Sequence, residues 1–168
     1  MINYDKLMVV AYDFDDTLFA HFNHKTETED EEVNYMAACL NANVNNYKNV
    51  KNIFGIGSVN QNLKDFMAKC ESDFIIQGLM SGTCAFLCAD AKIKFVEKQY
   101  GINLRNWCVC AQEKKIQMLK ALSLVHNCKY DNVLIIDDNY KVVTMAADAG
   151  FQSATPIEIV NFTQRLEK

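Results

Sequence analysis

The sequence has few of the residues that interrupt regular structure, with one proline and six glycines among 168 residues. This composition excludes collagen-like and low-complexity chains, and a hydrophobic content of 50% excludes an intrinsically disordered one. An excess of basic residues is also missing, because 17 Lys and Arg stand against 21 Asp and Glu, a formal net charge of −4. No overall positive field therefore draws the chain to nucleic acid or to anionic lipid.

Paired cysteine motifs are missing as well. The seven cysteines are an odd number, and no two of them have the CxxC spacing of common structural zinc sites. We interpret them as small buried hydrophobic residues, including the neighbours Cys84 and Cys88 and the neighbours Cys108 and Cys110. The apolar run near the start ends in three carboxylates, which suits neither a signal peptide nor a membrane span. We therefore expect a cytoplasmic chain with reduced thiols and no membrane contact.

The length indicates a single domain, 1–168, with enough residues to bury a core without a metal or a disulfide. Four apolar runs are typical of buried parallel strands: 7–13, 74–80, 107–111 and 132–136. Helical patterns alternate with these runs. The alternation predicts a three-layer, Rossmann-like α/β fold, in which helices cover both faces of a mostly parallel sheet.

Several helix starts carry a capping-box pattern, in which a hydroxyl and a side chain three residues later satisfy free backbone amides. Three pairs fit the pattern: Thr28 with Glu31, Ser58 with Gln61, and Thr155 with Glu158. Further helices are predicted over 83–100, 115–125 and 140–149, and Gly101 is the expected stop of the first.

Residues 19–57 interrupt this alternation. They contain an acidic run, one helical pattern and six asparagines between positions 41 and 52. Because no internal repeat or second core is visible, we interpret 19–57 as a small insert over the sheet edge. His21 and His24 beside the acidic run are typical of a solvated flap rather than a metal site.

Acidic residues cluster where predicted strands end, the edge at which ligands bind in sheets of this kind. Asp13 and Asp15 follow the first strand and project to the same side if the segment is extended. Asp137 and Asp138 follow a later strand. Carboxylates this close favour a hard divalent cation between them, commonly Mg²⁺ beside a phosphate. The alternative, in which Asp15 or Asp16 is a turn residue and Asp138 caps a helix, does not account for four carboxylates at two strand ends.

The segment DFDDTL at 13–18 resembles the first motif, DxDx(T/V), of the haloacid dehalogenase-like (HAD) phosphohydrolase superfamily. Three landmarks follow in the order of that family: Ser81 after the second strand, a lysine that opens a helix, and hydrophobic residues that end in Asp137-Asp138. The resemblance covers 7–18 and about 58–155 and leaves the insert unexplained. It implies a HAD-like fold and a Mg²⁺-dependent phosphatase.

The resemblance also implies a role for the matching residues. Asp13 would be the nucleophile that forms an aspartyl-phosphate, and Asp15 the general acid and base. Ser81 would donate to a phosphate oxygen, although a helix cap is an alternative role for it. The lysine would be Lys115 or its neighbour Lys114, of which we favour Lys115, and it would offset charge on the phosphoryl group.

For the metal, the resemblance implies that Asp138 is the direct Mg²⁺ ligand of the fourth motif and that Asp137 orients it or a bound water. Asp13 would bind Mg²⁺ through its side chain and Asp15 through its backbone carbonyl.

The substrate remains open at this point. A phosphorylated small molecule, a phosphoprotein and a phosphorylated nucleic-acid end all fit, although the net charge disfavours nucleic acid. Two other functions also stay open. A phosphoacceptor switch like bacterial receiver domains is disfavoured, because the third predicted strand lacks the nucleophilic Asp. A catalytically inactive HAD-like binding module is the other alternative.

Overall fold

The computed structural model of the chain describes residues 2–20, 58–82, 86–109 and 112–166. The strands are β1 (Val9–Tyr12), β2 (Phe19–Ala20), β3 (Ser58–Val59), β4 (Ile76–Ser81), β5 (Asn106–Val109), β6 (Val133–Ile136) and β7 (Gln152–Ala154). The helices are α1 (Gln61–Ser72), α2 (Phe86–Tyr100), α3 (Lys115–Val125), α4 (Tyr140–Asp148) and α5 (Pro156–Leu166). Short 3₁₀ turns lie at Tyr4–Lys6, Gln112–Lys114 and Tyr130–Asn132.

The central sheet has the strand order β5-β4-β1-β6-β7, and every neighbouring pair is parallel. Strand β1 lies in the middle, where Val9 pairs with Ile76 of β4 on one side and with Val133 of β6 on the other. The predicted parallel α/β architecture is confirmed. Because parallel strands end at one edge, the residues that follow β1, β4 and β6 meet there.

Two apolar clusters cover the two faces of the sheet. Along β1, Val10 and Tyr12 belong to one cluster, whereas Val9 and Ala11 belong to the other, as the alternation of side chains in a strand requires. Helices α1, α2 and α5 close the first cluster, and α3 and α4 close the second. This arrangement gives the three layers that the sequence predicts.

Several element boundaries differ from the predictions. The second predicted strand began at Phe74, but Phe74 is 87% exposed at a φ of 59° and lies in the turn before β4. The capping box of Ser58 with Gln61 is wrong, because Ser58 pairs with Ala20 in the two-stranded β2–β3 sheet and Asn60 directly precedes α1. Strand β7 had no signal in the sequence, since three residues are too few to display a period.

Other predicted boundaries are confirmed. The backbone amide of Thr155 donates to the Glu158 carboxylate over 2.7 Å, which is one half of the predicted capping box before α5. Gly101 follows α2 with a φ of 69°, the left-handed conformation that favours glycine at a helix end. No helix within the described ranges combines the length and the apolar character that a membrane span requires.

The ends of the predicted insert lie side by side. Phe19 pairs with Val59 in the antiparallel β2–β3 sheet, and Phe19 also forms a bridge with Asp15 in the segment that follows β1. Residues 21–57 lie outside the described residues, and with them His21, His24 and the helix predicted after Thr28. The same holds for 83–85 of the third predicted helix, for 110–111 of the third predicted strand, and for the side chains of Cys84, Cys88, Cys108 and Cys110.

Tyr100 connects this two-stranded sheet to α2. Its hydroxyl donates to the Leu18 carbonyl and accepts from the Asn60 amide over 3.0 Å. We expect Tyr100→Phe to lower the free energy of unfolding by about 1 kcal/mol, the net value of such a hydrogen bond. Urea denaturation measures this loss. Tyr140→Phe is the control, because Tyr140 is 73% exposed, and equal effects of the two variants would contradict the assignment.

Candidate functional site

Two acidic residues continue neighbouring strands of the sheet. The Asp13 amide donates to the Ile136 carbonyl over 2.8 Å, and the Asp137 amide donates to the Ala154 carbonyl over 3.1 Å. These bonds extend the ladders by one residue and hold both backbones at the carboxyl edge. Both residues are almost inaccessible to solvent, with whole-residue exposures of 6% for Asp13 and 0% for Asp137.

One lysine joins these two carboxylates. The Nζ of Lys115 donates to Oδ1 of Asp13 over 2.8 Å and to Oδ2 of Asp137 over 2.6 Å. Lys115 is the first residue of α3 and is 1% exposed, whereas Lys114 lies in the preceding 3₁₀ turn and is exposed. Of the two lysines left open by the sequence, the structure brings Lys115 to the acidic residues.

A tight turn follows Asp13 and redirects the chain toward β2. The Phe14 carbonyl accepts amide hydrogen bonds from Thr17, Leu18 and Phe19, and Asp16 has a φ of 56°. The rings of Phe14 and Phe19 stack with centroids 5.4 Å apart. The turn is thus fixed by backbone hydrogen bonds and by core packing.

The turn brings Thr17 to the end of β6. The Thr17 hydroxyl accepts from the Asp138 amide over 3.0 Å and donates to the Asp138 carboxylate over 3.4 Å. Asn139, not Asp138, caps α4, because its side chain accepts from the Lys141 amide over 3.0 Å. The cap alternative for Asp138 is therefore wrong, and its exposed carboxylate remains at the sheet edge.

Three carboxylates at this edge form a group that suits a metal ion. One oxygen from each of Asp13, Asp137 and Asp138 lies within 4.8 Å of the other two. Oxygen-only donor sets are those that hard divalent cations such as Mg²⁺ prefer. Within the described part of the chain, no other cluster of this kind occurs.

The pKa values reflect this crowding of negative charge. Burial, together with the charges of Asp137 and Asp15, raises the pKa of Asp13 to about 7 against the opposing effect of Lys115. Burial, Asp137 and Asp16 also raise the pKa of Asp138. Burial would lower the pKa of Lys115, but the two carboxylates outweigh it and leave the pKa above its usual value. Lys115 thus stays charged, and a further cation would favour the ionised carboxylates.

Ser81 and Asp15 are joined by a lysine that the sequence did not predict as a site residue. The Nζ of Lys92 donates to Oδ2 of Asp15 over 2.5 Å and to Oγ of Ser81 over 2.9 Å. Lys92 belongs to α2 and lies on the same helix face as the core residues Phe95 and Val96. A lysine within an apolar stripe was the signal available in the sequence.

The predicted site residues therefore fall into two contact groups at one sheet edge. Lys115 joins Asp13 and Asp137 beside Asp138, and Lys92 joins Asp15 and Ser81. The Ser81 hydroxyl also donates to the Gly82 carbonyl over 3.2 Å.

No family model matches the sequence, and no curated protein matches it. Solved structures are similar at low identity. A putative β-phosphoglucomutase from Thermotoga maritima is 14% identical with a TM-score of 0.63, and the match covers 95% of this chain and 99% of that one. A phosphoserine phosphatase, solved as an analogue of its phospho-aspartyl intermediate, is 10% identical with a TM-score of 0.52, covering 83% and 81%.

A third similar structure is the N-terminal part of a Bacteroides fragilis protein that contains a phosphatase domain and is complexed with Mg. It is 13% identical with a TM-score of 0.52, and the match covers 89% of this chain but only 35% of that one. At such identities the likeness concerns the fold.

The Lys115 bridge makes a testable prediction about stability. Lys115→Met would leave two buried carboxylates without their cation, so we expect a loss of about 3–5 kcal/mol in the free energy of unfolding. Urea denaturation without divalent cations measures it. Lys114→Met removes the same charge from an exposed position and should change stability by less than about 0.5 kcal/mol. Similar losses in the two variants would contradict the bridge.

Proposed function

We propose that this chain, which has the fold of the haloacid dehalogenase-like hydrolases, is a Mg²⁺-dependent phosphatase that acts on phosphomonoesters through an aspartyl-phosphate on Asp13. The observation that carries the proposal is the Lys115 bridge from Asp13 to Asp137, with Asp138 beside it. A nucleophilic carboxylate, a fixed ammonium group and an acidic cluster at one edge are the parts that phosphoryl transfer requires.

The acidic cluster fits the metal that the proposal needs. Asp13 and Asp138 would hold Mg²⁺ through their side chains, Asp15 through its backbone carbonyl, and Asp137 would orient Asp138 or a bound water. The bound ion would supply positive charge to the phosphoryl oxygens.

In the first step, the Asp13 carboxylate attacks phosphorus while the bond from phosphorus to the ester oxygen breaks. The Asp15 carboxyl group gives its proton to that leaving oxygen, and the alcohol departs. The Ser81 hydroxyl donates to a phosphoryl oxygen, and Lys115 offsets negative charge on the Asp13 side.

In the second step, water attacks the phosphorus of the aspartyl-phosphate. Asp15, now ionised, accepts the proton of that water, and the bond between phosphorus and the Asp13 oxygen breaks. Inorganic phosphate leaves, while Asp13 returns as a carboxylate and Asp15 as a carboxylic acid. The similarity to a phosphoserine phosphatase captured as a phospho-aspartyl analogue supports this two-step route.

The substrate is a phosphomonoester whose class the site residues do not restrict. Nucleotides, sugar phosphates, phosphoproteins and phosphorylated nucleic-acid ends are the classes to screen. We also propose a cytoplasmic location, where free thiols such as those of Cys70 and Cys128 stay reduced.

The activity is tested with p-nitrophenyl phosphate. We expect hydrolysis with Mg²⁺, no hydrolysis with EDTA, and a loss of at least about 1000-fold in kcat/KM for Asp13→Asn, which removes the nucleophile. Asp148→Asn is the matched control, because Asp148 is an exposed residue at the end of α4. Failure of the wild-type protein on this ester and on the four substrate classes would favour the inactive binding module.

Metal binding has a separate readout in thermal unfolding. An ion that binds only the folded state at 100 times its dissociation constant adds about 2.7 kcal/mol of stability, so Mg²⁺ should raise the melting temperature. Asp138→Asn should need at least about tenfold more Mg²⁺ for the same shift. Asp148→Asn should behave like the wild type, and an unchanged titration for Asp138→Asn would contradict the ligand assignment.

A further inference from the structure

Lys92 is a buried cation that no motif of the sequence explains. Its side chain is 8% exposed, yet its Nζ lies within hydrogen-bond distance of three oxygens. They belong to the Asp15 carboxylate, the Ser81 hydroxyl and the Gly82 carbonyl, the last at 3.2 Å. An ammonium group has three protons, so these acceptors satisfy it completely. A buried charge with a full set of hydrogen-bond partners is typical of a preorganised polar site rather than of a solvated helix face.

The position of Lys92 is fixed by the packing of α2 against the sheet. Phe95 and Val96, three and four residues further along α2, pack in the apolar core. The Phe14 ring also faces the ammonium group, with Nζ 4.7 Å from the ring centroid. The ammonium group of Lys92 therefore has a defined position and can hold its hydrogen-bond partners in place.

Among the acidic residues that Lys92 and Lys115 contact, Asp15 has the side chain with the most conformational freedom to restrict. Its side chain is 43% exposed, far more than that of Asp13 at 9%. An exposed carboxylate has several rotamers of similar energy, whereas proton transfer to a leaving oxygen needs one defined position. The hydrogen bond from the fixed ammonium group of Lys92 favours one such position.

Ser81 is held by the same ammonium group. Its hydroxyl accepts from Lys92 and donates to the Gly82 carbonyl. For Ser81 to donate to a phosphoryl oxygen, its proton must turn away from Gly82, and the Gly82 carbonyl then keeps the hydrogen bond from Lys92. Accepting from a cation also makes the hydroxyl a stronger donor.

We propose that Lys92 is a positioning residue of this site, which fixes the Asp15 carboxyl group at the leaving-group side and orients the Ser81 hydroxyl toward the phosphoryl oxygens. The inference rests on the proposed phosphatase function. It assigns the two lysines different tasks, since Lys115 contacts the nucleophile and the metal-binding carboxylates, and Lys92 contacts the acid–base residue and the phosphate donor.

The test compares kcat/KM of Lys92→Met on p-nitrophenyl phosphate and on phenyl phosphate. The p-nitrophenolate group leaves readily without a proton, whereas phenolate depends on a general acid. We expect losses of about 10-fold on the first ester and about 100- to 1000-fold on the second, because Asp15 is no longer positioned. Equal losses on both esters would indicate a merely structural lysine and would overturn the proposal.

Lys94→Met is the matched control, because Lys94 lies on the same helix and is exposed. It should retain the wild-type ratio between the two esters. Where Lys92→Met does not fold, Lys92→Arg replaces it, since it keeps the charge but changes the donor geometry. The same selective loss on phenyl phosphate is expected, at a smaller size, and equal losses would again overturn the proposal.

A crystal structure of the Lys92 variant separates this inference from the proposed function. We expect the Asp15 carboxylate to leave its wild-type position while Asp13 and Lys115 remain in place. An unmoved Asp15 would overturn the positioning role, whether or not the protein hydrolyses either ester. Conversely, failure of the wild type on both esters would count against the phosphatase function and leave the displacement of Asp15 as the test of Lys92.

Discussion

The pairing of one buried ammonium group with two buried carboxylates is the constraint on which this sheet edge depends. Asp13 and Asp137 continue adjacent strands, so the register of β1 against β6 places them together. Two carboxylates that lie so near each other, and that are almost inaccessible to solvent, could not both ionise without a neighbouring cation. Lys115 supplies that charge from the start of α3, which links the position of this helix to that of the two strands.

The three layers of the fold contribute to the site in a regular way. The sheet supplies the carboxylates and Ser81, the helix α2 on one face supplies Lys92, and the helix α3 on the other supplies Lys115. When the four aspartates at positions 13, 15, 137 and 138 are all ionised, these two lysines leave two formal negative charges, which one divalent cation offsets. The packing of each helix against its own face thus sets where positive charge meets the carboxylates.

Much of this arrangement was predictable from the sequence, because its signals are local. A strand buried on both faces is a continuous apolar run, and Asp13 and Asp137 each directly follow such a run. The carboxyl edge of a parallel sheet collects the residues that follow its strands, so alternation of strands and helices already predicted that these aspartates meet. Gly101 and the Thr155–Glu158 pair were predictable for the same reason, since a helix end depends on its nearest residues.

The tertiary structure decided which partners meet across long distances in the chain. Lys92 and Asp15 are 77 positions apart in the chain, and Lys115 and Asp13 are 102 positions apart. Neither pair therefore produces a local pattern in the sequence. The sequence favoured Lys115 over its neighbour Lys114 without deciding between them. The Lys115 side chain points into the site because α3 packs its Leu119 face on the sheet. The sequence by itself determined the strands and the carboxylates at their ends, through periodicity and chain order. The choice of lysines and the pairing of β2 with β3 required the packed fold, because only packing sets the direction of a helix face.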